Sequence, residues 1–203
     1  MKTVGLKGSL IILLVSVVSA THASTIHEAA RSGDLDQVQR MTMDGVNVNE
    51  KSIRDETPLI VATLAGQGEI VSYLLQRGAD IGARNDTGLT ALHAAAYTGH
   101  TAIVELLITK GARVNDADNK FGVTPLHLAS EENHMDTVQL LLKHGADPTL
   151  VEVNGFSPIT RAGFREYWDV VNVLLAHGAT CQPTDIVGEW LHEECTSRAN
   201  ANN

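Results

Sequence analysis

The sequence predicts an all-α repeat solenoid: about five stacked units, each a helix-turn-helix followed by a hairpin loop, closed by a C-terminal cap helix. Two markers that share one period carry this reading. Gly45, Gly78, Gly111, Gly145 and Gly178 are spaced 33, 33, 34 and 33 apart, and Thr57, Thr90, Thr124 and Ser157 keep the same beat. Apolar pairs one helical turn apart recur within it, as in Ile70-Val71 with Leu74-Leu75 and Ile103-Val104 with Leu107-Ile108. A fixed period of this size marks a stack of units, none of which can bury its apolar face alone. The units fall at approximately 24–55, 56–87, 88–121, 122–154 and 155–181, preceded by a leader (1–23) and followed by a cap and frayed tail (182–203).

The chain opens with Lys2 and Lys7, an apolar run from Leu10 to Val18 and small residues up to Ser24. This is the three-part form of a secretory signal peptide, with cleavage expected after Ala23 or Ala20. The run falls short of the ~20 residues that span a bilayer, so no membrane insertion of the mature chain is expected. Its loss leaves 13 Lys and Arg against 24 Asp and Glu, a net of −11. The destination expected is periplasmic or secreted, most simply a bacterial periplasm.

In each unit the first helix opens at the conserved-phase Thr or Ser as N-cap, with Pro58, Pro125 and Pro158 at the first helical position. Gly33, Gly66, Gly99 and Asn133 stand where it must end, since both residue types accept a left-handed cap. The second helix then runs to the glycine that closes the unit. In the first unit it reads Gln37-Val38-Gln39-Arg40-Met41-Thr42, polar where later copies are apolar, which suits an N-terminal cap. Five of the eight aromatics lie after residue 155, and Ile186, Val187, Trp190 and Leu191 form a further short amphipathic stretch. This is the expected cap helix, with residues 196–203 expected to fray.

Thr57-Pro58-Leu59, Thr90-Ala91-Leu92-His93, Thr124-Pro125-Leu126-His127, Gly99-His100 and Gly145-Ala146-Asp147 together resemble the ankyrin-repeat family over roughly residues 24–181. The departures are Ile60 and Thr160 for the motif histidine, Ala91 for the proline and Glu166 for a turn glycine. The resemblance implies hydrogen-bonding roles for His93, His127 and His27 within and between units. It also implies that partners are read by hairpin tips and the exposed face of the first helices. On this chain that face comprises Lys51, Ile53, Arg54 and Glu56; Arg84, Asp86, Thr87, Leu89, Tyr97 and Thr98; Asp118, Lys120, Phe121, Val123, Glu131 and Glu132; and Phe164 with Arg165. Tyr97, Phe121 and Phe164 are the expected anchors, Tyr97 foremost, although Phe121 also suits packing within its hairpin and Phe164 packing with the cap. The spacing of 34 places one extra residue between Gly111 and Thr124, which is expected to lengthen the third tip.

The remaining chemistry points away from catalysis. Gly-x-Ser-x-Gly, His-Glu-x-x-His and phosphate-cradling glycine loops are all missing from the sequence, so no enzyme and no cofactor is expected. His144 and His177 precede closing glycines of adjacent units, but no carboxylate or cysteine completes a metal set around them. A net charge of −9 and 4% aromatics speak against nucleic acid. Cys181 and Cys195 have an exported route open to them, so a disulfide is expected over two free thiols or a Cys-mediated dimer. The function expected is a monomeric, non-enzymatic scaffold that binds a protein client, basic or an exported enzyme, which it inhibits or stabilises. A self-associating, envelope-organising protein is the alternative.

Overall fold

The computed structural model describes residues 25–201, which hold twelve helices and no strands. Five pairs follow in chain order: α1 (Ile26–Ser32) with α2 (Leu35–Met43), α3 (Pro58–Leu64) with α4 (Gly68–Gln76), and α5 (Ala91–Thr98) with α6 (Thr101–Thr109). They continue as α7 (Pro125–Glu131) with α8 (Met135–Lys143) and α9 (Pro158–Phe164) with α10 (Trp168–Ala176). Two further helices, α11 (Thr184–Val187) and α12 (Glu189–Ala201), close the chain. The leader and both cleavage positions lie outside the described residues.

The first helices pack side by side in one row and the second helices in another. The first row is the tighter because Ala29, Ala62, Ala95, Ala129 and Ala162, all at one register, are buried between neighbours. Second helices contribute larger side chains, with Leu74, Leu107, Leu141 and Leu174 wholly buried along one line and Val38, Val71, Val104, Val138 and Val171 along the next. In the first pair the polar substitutions are accommodated rather than buried blindly: Thr42 is hydrogen-bonded to the Tyr73 hydroxyl at 2.6 Å.

Each first helix ends as the sequence requires. Gly99 has φ 71°, and a Cβ there would stand 2.4 Å from the ring of His134, so both its backbone and its bare Cα are needed. Asn133 and Glu166 hold the same conformation with φ 59°. Adjacent hairpin tips are joined by one backbone hydrogen bond each: Asp86 N–H to Arg54 O, Lys120 N–H to Thr87 O and Val153 N–H to Phe121 O, at 2.9–3.0 Å.

The extra residue of the third unit is not in its tip. All four tips close the same way, Asp55 N–H on Ser52 O, Gly88 on Asn85, Gly122 on Asn119 and Gly155 on Glu152. The insertion instead forms a bulge over Asp116–Asp118. Where Asn85 and Glu152 donate their backbone N–H across the hairpin to Leu89 O and Phe156 O, Asn119 donates to Ala117 O. Its side-chain amide takes over the bond to Val123 O at 2.7 Å.

At the C-terminal end Cys181 and Cys195 form a disulfide. Leu191 rests on Gly163, and Trp190 meets Trp168 edge to face at 5.9 Å, with Arg198 stacked 4.3 Å over Trp168. The helix continues to Ala201, past the point at which fraying is expected; the disulfide and the Arg198 stack hold a stretch whose composition alone would not.

Candidate protein interface

The motif histidines are structural. His93 Nδ1 accepts from the Thr90 N–H and hydroxyl, and its Nε2–H is shared by Asp116 O and Val123 O of the next hairpin at 3.0 and 3.1 Å. His127 repeats this with Thr124 and Phe156 O, and His27 reaches Glu50 O and Glu56 O. Burial lowers the pKa of both His93 and His127, the latter to about 4, so each ring is neutral with its proton on Nε2. At Thr160 the role passes to Gln182 from beyond the fifth unit, which accepts from the Thr160 hydroxyl and the Ser157 N–H and donates to Gly155 O.

These bonds hold the hairpins against the first-helix row and leave a groove of about 320 Å³ between them. Leu64, Leu89, Ala94, Tyr97, Phe121 and Leu128 supply its apolar surface, Asn85 stands at one side and Arg161 at the end. Tyr97 is 50% and Phe121 46% exposed. The lining contains no carboxylate, so the acidic surplus of the chain lies elsewhere. Arg161 is held by Glu131 at 2.7 Å and lies 3.6 Å from the buried Glu152.

Of the expected contact residues, Leu89, Tyr97, Phe121 and Val123 converge on this groove. Val123, however, is 3% exposed and forms its floor, because its carbonyl is held against His93. Arg84 is occupied by Asp116 at 2.8 Å and by Gly88 O, and Asp118 by Arg113 at 2.7 Å; these residues brace the bulge. Asp116 is buried, which alone would raise its pKa, but the bonds from Arg84, the Asp118 N–H and Arg113 bring it below the ordinary carboxylate value. Thr87 and Thr98 turn their hydroxyls inward, to Asn85 Oδ1 and Ala94 O. Glu131 and Arg165 pair with each other at 3.3 Å beside Arg161, and Glu132 caps α7, half-exposed. Lys51, Ile53, Arg54 and Glu56 border a separate shallow depression near α1, while Asp86 and Lys120 stand exposed on their tips. Phe164 is 49% exposed and packs edge to face on Phe156 of its own unit at 5.3 Å, away from the cap tryptophans.

Leu64, Ala94 and Leu128 belong to the groove but not to the expected set. The periodicity contains them: Leu64 lies one period before Tyr97, and Leu128 is 34 residues after Ala94. His144 bonds Glu105 and His177 bonds Val173 O. Among the described residues no three of His, Cys, Asp and Glu gather in a way that would hold a metal ion, and no helix is long and apolar enough to cross a membrane.

Helix pairs stacked in register, with hairpin tips and first helices enclosing an apolar groove, define a repeat-built protein-binding module. The chain belongs to the ankyrin-repeat family: the family described as "Ankyrin repeats (3 copies)" matches residues 26–118 and 114–185. It is similar to the Notch-regulated ankyrin repeat-containing protein of Xenopus tropicalis, 39% identical over 101 residues, 47% of this chain and 89% of that protein. It is also similar to Inversin of Mus musculus, 35% identical over 91 residues, which are 44% of this chain and 9% of Inversin. A third similarity is to alpha-latrocrustotoxin-Lt1a of Latrodectus tredecimguttatus, 42% identical over 73 residues, 36% of this chain and 5% of the toxin.

Proposed function

We propose that the chain is a non-enzymatic scaffold, monomeric and exported to a periplasmic or extracellular compartment, that holds a protein client by an uncharged apolar segment in the Tyr97–Phe121 groove. The observation that carries this is the groove itself. Large apolar side chains from three successive units are left half-exposed around one depression whose single charged lining residue, Arg161, is already paired. A charged client group would enter without a partner, whereas one or two aliphatic or aromatic side chains would bury surface against Leu64, Tyr97 and Phe121. The stacked hairpins present this surface with little ordering cost on binding. The leader and the disulfide both fit an exported route. Inhibition or steadying of an exported enzyme is the sharper form of the same reading. A basic client is favoured only through long-range steering by the chain's net negative charge, since the groove offers no acid.

The test is photo-crosslinking from position 97 or 121 in the exported fraction, with Gln139, exposed on α8, as the control position. A defined protein trapped from each groove position, absent from 139 and lost when the other anchor is removed (Phe121→Ala with the probe at 97, Tyr97→Ala with the probe at 121), is the expected result. Recovery of the chain itself as the sole product would replace the proposal with self-association.

A further inference from the structure

We infer that the Cys181–Cys195 bond is a redox-operated latch that fixes the fourth hairpin and, through it, the Arg161 end of the groove. The functional consequence rests on the groove being the client site; the structural coupling does not. Among the thirteen residues of α12, only Leu191 and Cys195 are buried, and Trp190 is more than half exposed. The disulfide is therefore the principal tether of this helix, with one leucine and the Trp168 contacts beside it.

The residue after Cys181 transmits the tether. Gln182 accepts from the Ser157 N–H at 3.0 Å and from the Thr160 hydroxyl, and donates to Gly155 O at 2.6 Å. Its own carbonyl accepts from His192 Nδ1 of α12 at 2.8 Å. The bridged segment thus reaches the hairpin that carries Glu152 and Phe156 through Gln182, which His192 holds from α12. Glu152 lies beside Arg161 at the end of the groove, and Phe156 O receives the His127 proton. The bond that His93 and His127 make to Thr90 and Thr124 in earlier units is made at Ser157 and Thr160 by Gln182, a residue anchored beside the disulfide, which adds a second hold on a hairpin that His127 already grips at Phe156 O.

The switching step is thiol–disulfide exchange with a dithiol reductant. Cys181 is half-buried and Cys195 is 5% exposed, so the incoming thiolate forms its bond to Cys181 Sγ while Cys195 Sγ departs as thiolate and takes a proton. The reductant's second thiol then displaces Cys181, leaving two cysteine thiols and an oxidised reductant. A reduced chain has the first three units formed and the fourth hairpin loosened; oxidation completes the face.

Hydrogen exchange read by mass spectrometry on the full chain tests this, oxidised and after dithiothreitol, beside the Cys181→Ser, Cys195→Ser double variant without reductant. The expected result is exchange at least tenfold faster in residues 182–201 and 150–160, with 26–109 unchanged, in both the reduced chain and the variant. Acceleration confined to 182–201, acceleration everywhere, or none would each overturn the latch. Gln182→Ala in the oxidised chain separates the relay from the tether: 150–160 should open while 189–201 stays protected, and protection of 150–160 would reject the relay. Crosslinking at Tyr97 then reports separately on the client.

Discussion

His127 shows how a repeat histidine carries stability and a pH dependence together. Burial holds its pKa at about 4 against 6.5 in the unfolded chain, so on acidification the unfolded state takes up the proton first. Its contribution is whole above pH 6.5 and is lost as pH falls towards 4, by about 2 kcal/mol at pH 5. Urea unfolding at pH 7.5 and 5.0 should show this loss, and His127→Gln should start less stable with a shallower acid dependence. Asp116, also held below its ordinary pKa, loses its contribution in the same direction as pH falls; its removal takes from Arg84 its nearest carboxylate, while Arg113 keeps Asp118. Asp116→Ala should cost about 2 kcal/mol by the same measurement. The histidine roles are legible through the ankyrin resemblance, which His93 and His127 carry in phase with their threonines. Gln182 is not, because a substitute that arrives from outside the repeat carries no period.

Helix ends and hairpin arms vary from unit to unit in ways that make further predictions. Glu166 occupies a left-handed position at φ 59° that Gly99 fills elsewhere. Glu166→Gly should therefore stabilise by about 1 kcal/mol in urea unfolding, whereas Asn133→Gly should gain less because asparagine tolerates that conformation. Asn49 and Asn115 each clasp the following unit, accepting from Asp80 and Asp147 N–H at 2.8 Å and donating to Gly78 and Gly145 O. Gly82 stands at the same register with no side chain, and its φ is not left-handed. Gly82→Asn should bond Arg113 N–H and Gly111 O and raise stability by about 1 kcal/mol. The count of 34 locates the inserted residue within a segment, but spacing alone does not separate a longer tip from a bulge. That choice is made by Arg84 and Arg113, which tie the buried Asp116 and the exposed Asp118 together across the bulge. For α12 the polar composition points to fraying, and the helix is held instead by one covalent bond and one cation over a ring, neither of which has a helical periodicity to read.

Stability of the whole stack is a sum over neighbouring units, so loss at one end spreads inward only as far as the broken contacts reach. Opening the disulfide should cost about 3 kcal/mol at the C-terminal end on the chain-entropy account, seen as an early unfolding step in the Cys195→Ser chain. The stacked architecture is the most legible part of the molecule, since its period appears in two residue types at once. The groove is legible in part: Tyr97 and Phe121 stand out as aromatics, while Leu64 and Leu128 are ordinary leucines until the register aligns them. The bulge at Asp116–Asp118 has one more consequence, for how such a chain can change in length. Duplication or loss of a unit elsewhere re-forms the same alanine seams and tip bonds, but the Arg84–Asp116 pair exists only when the second and third units remain neighbours in that order. If the second unit is deleted, Lys51 faces Asp116; if the third is deleted, Arg84 faces Leu150. The order of the second and third units is thus written into a buried charge, as that of the fourth and fifth is into the contact of Arg161 with the buried Glu152.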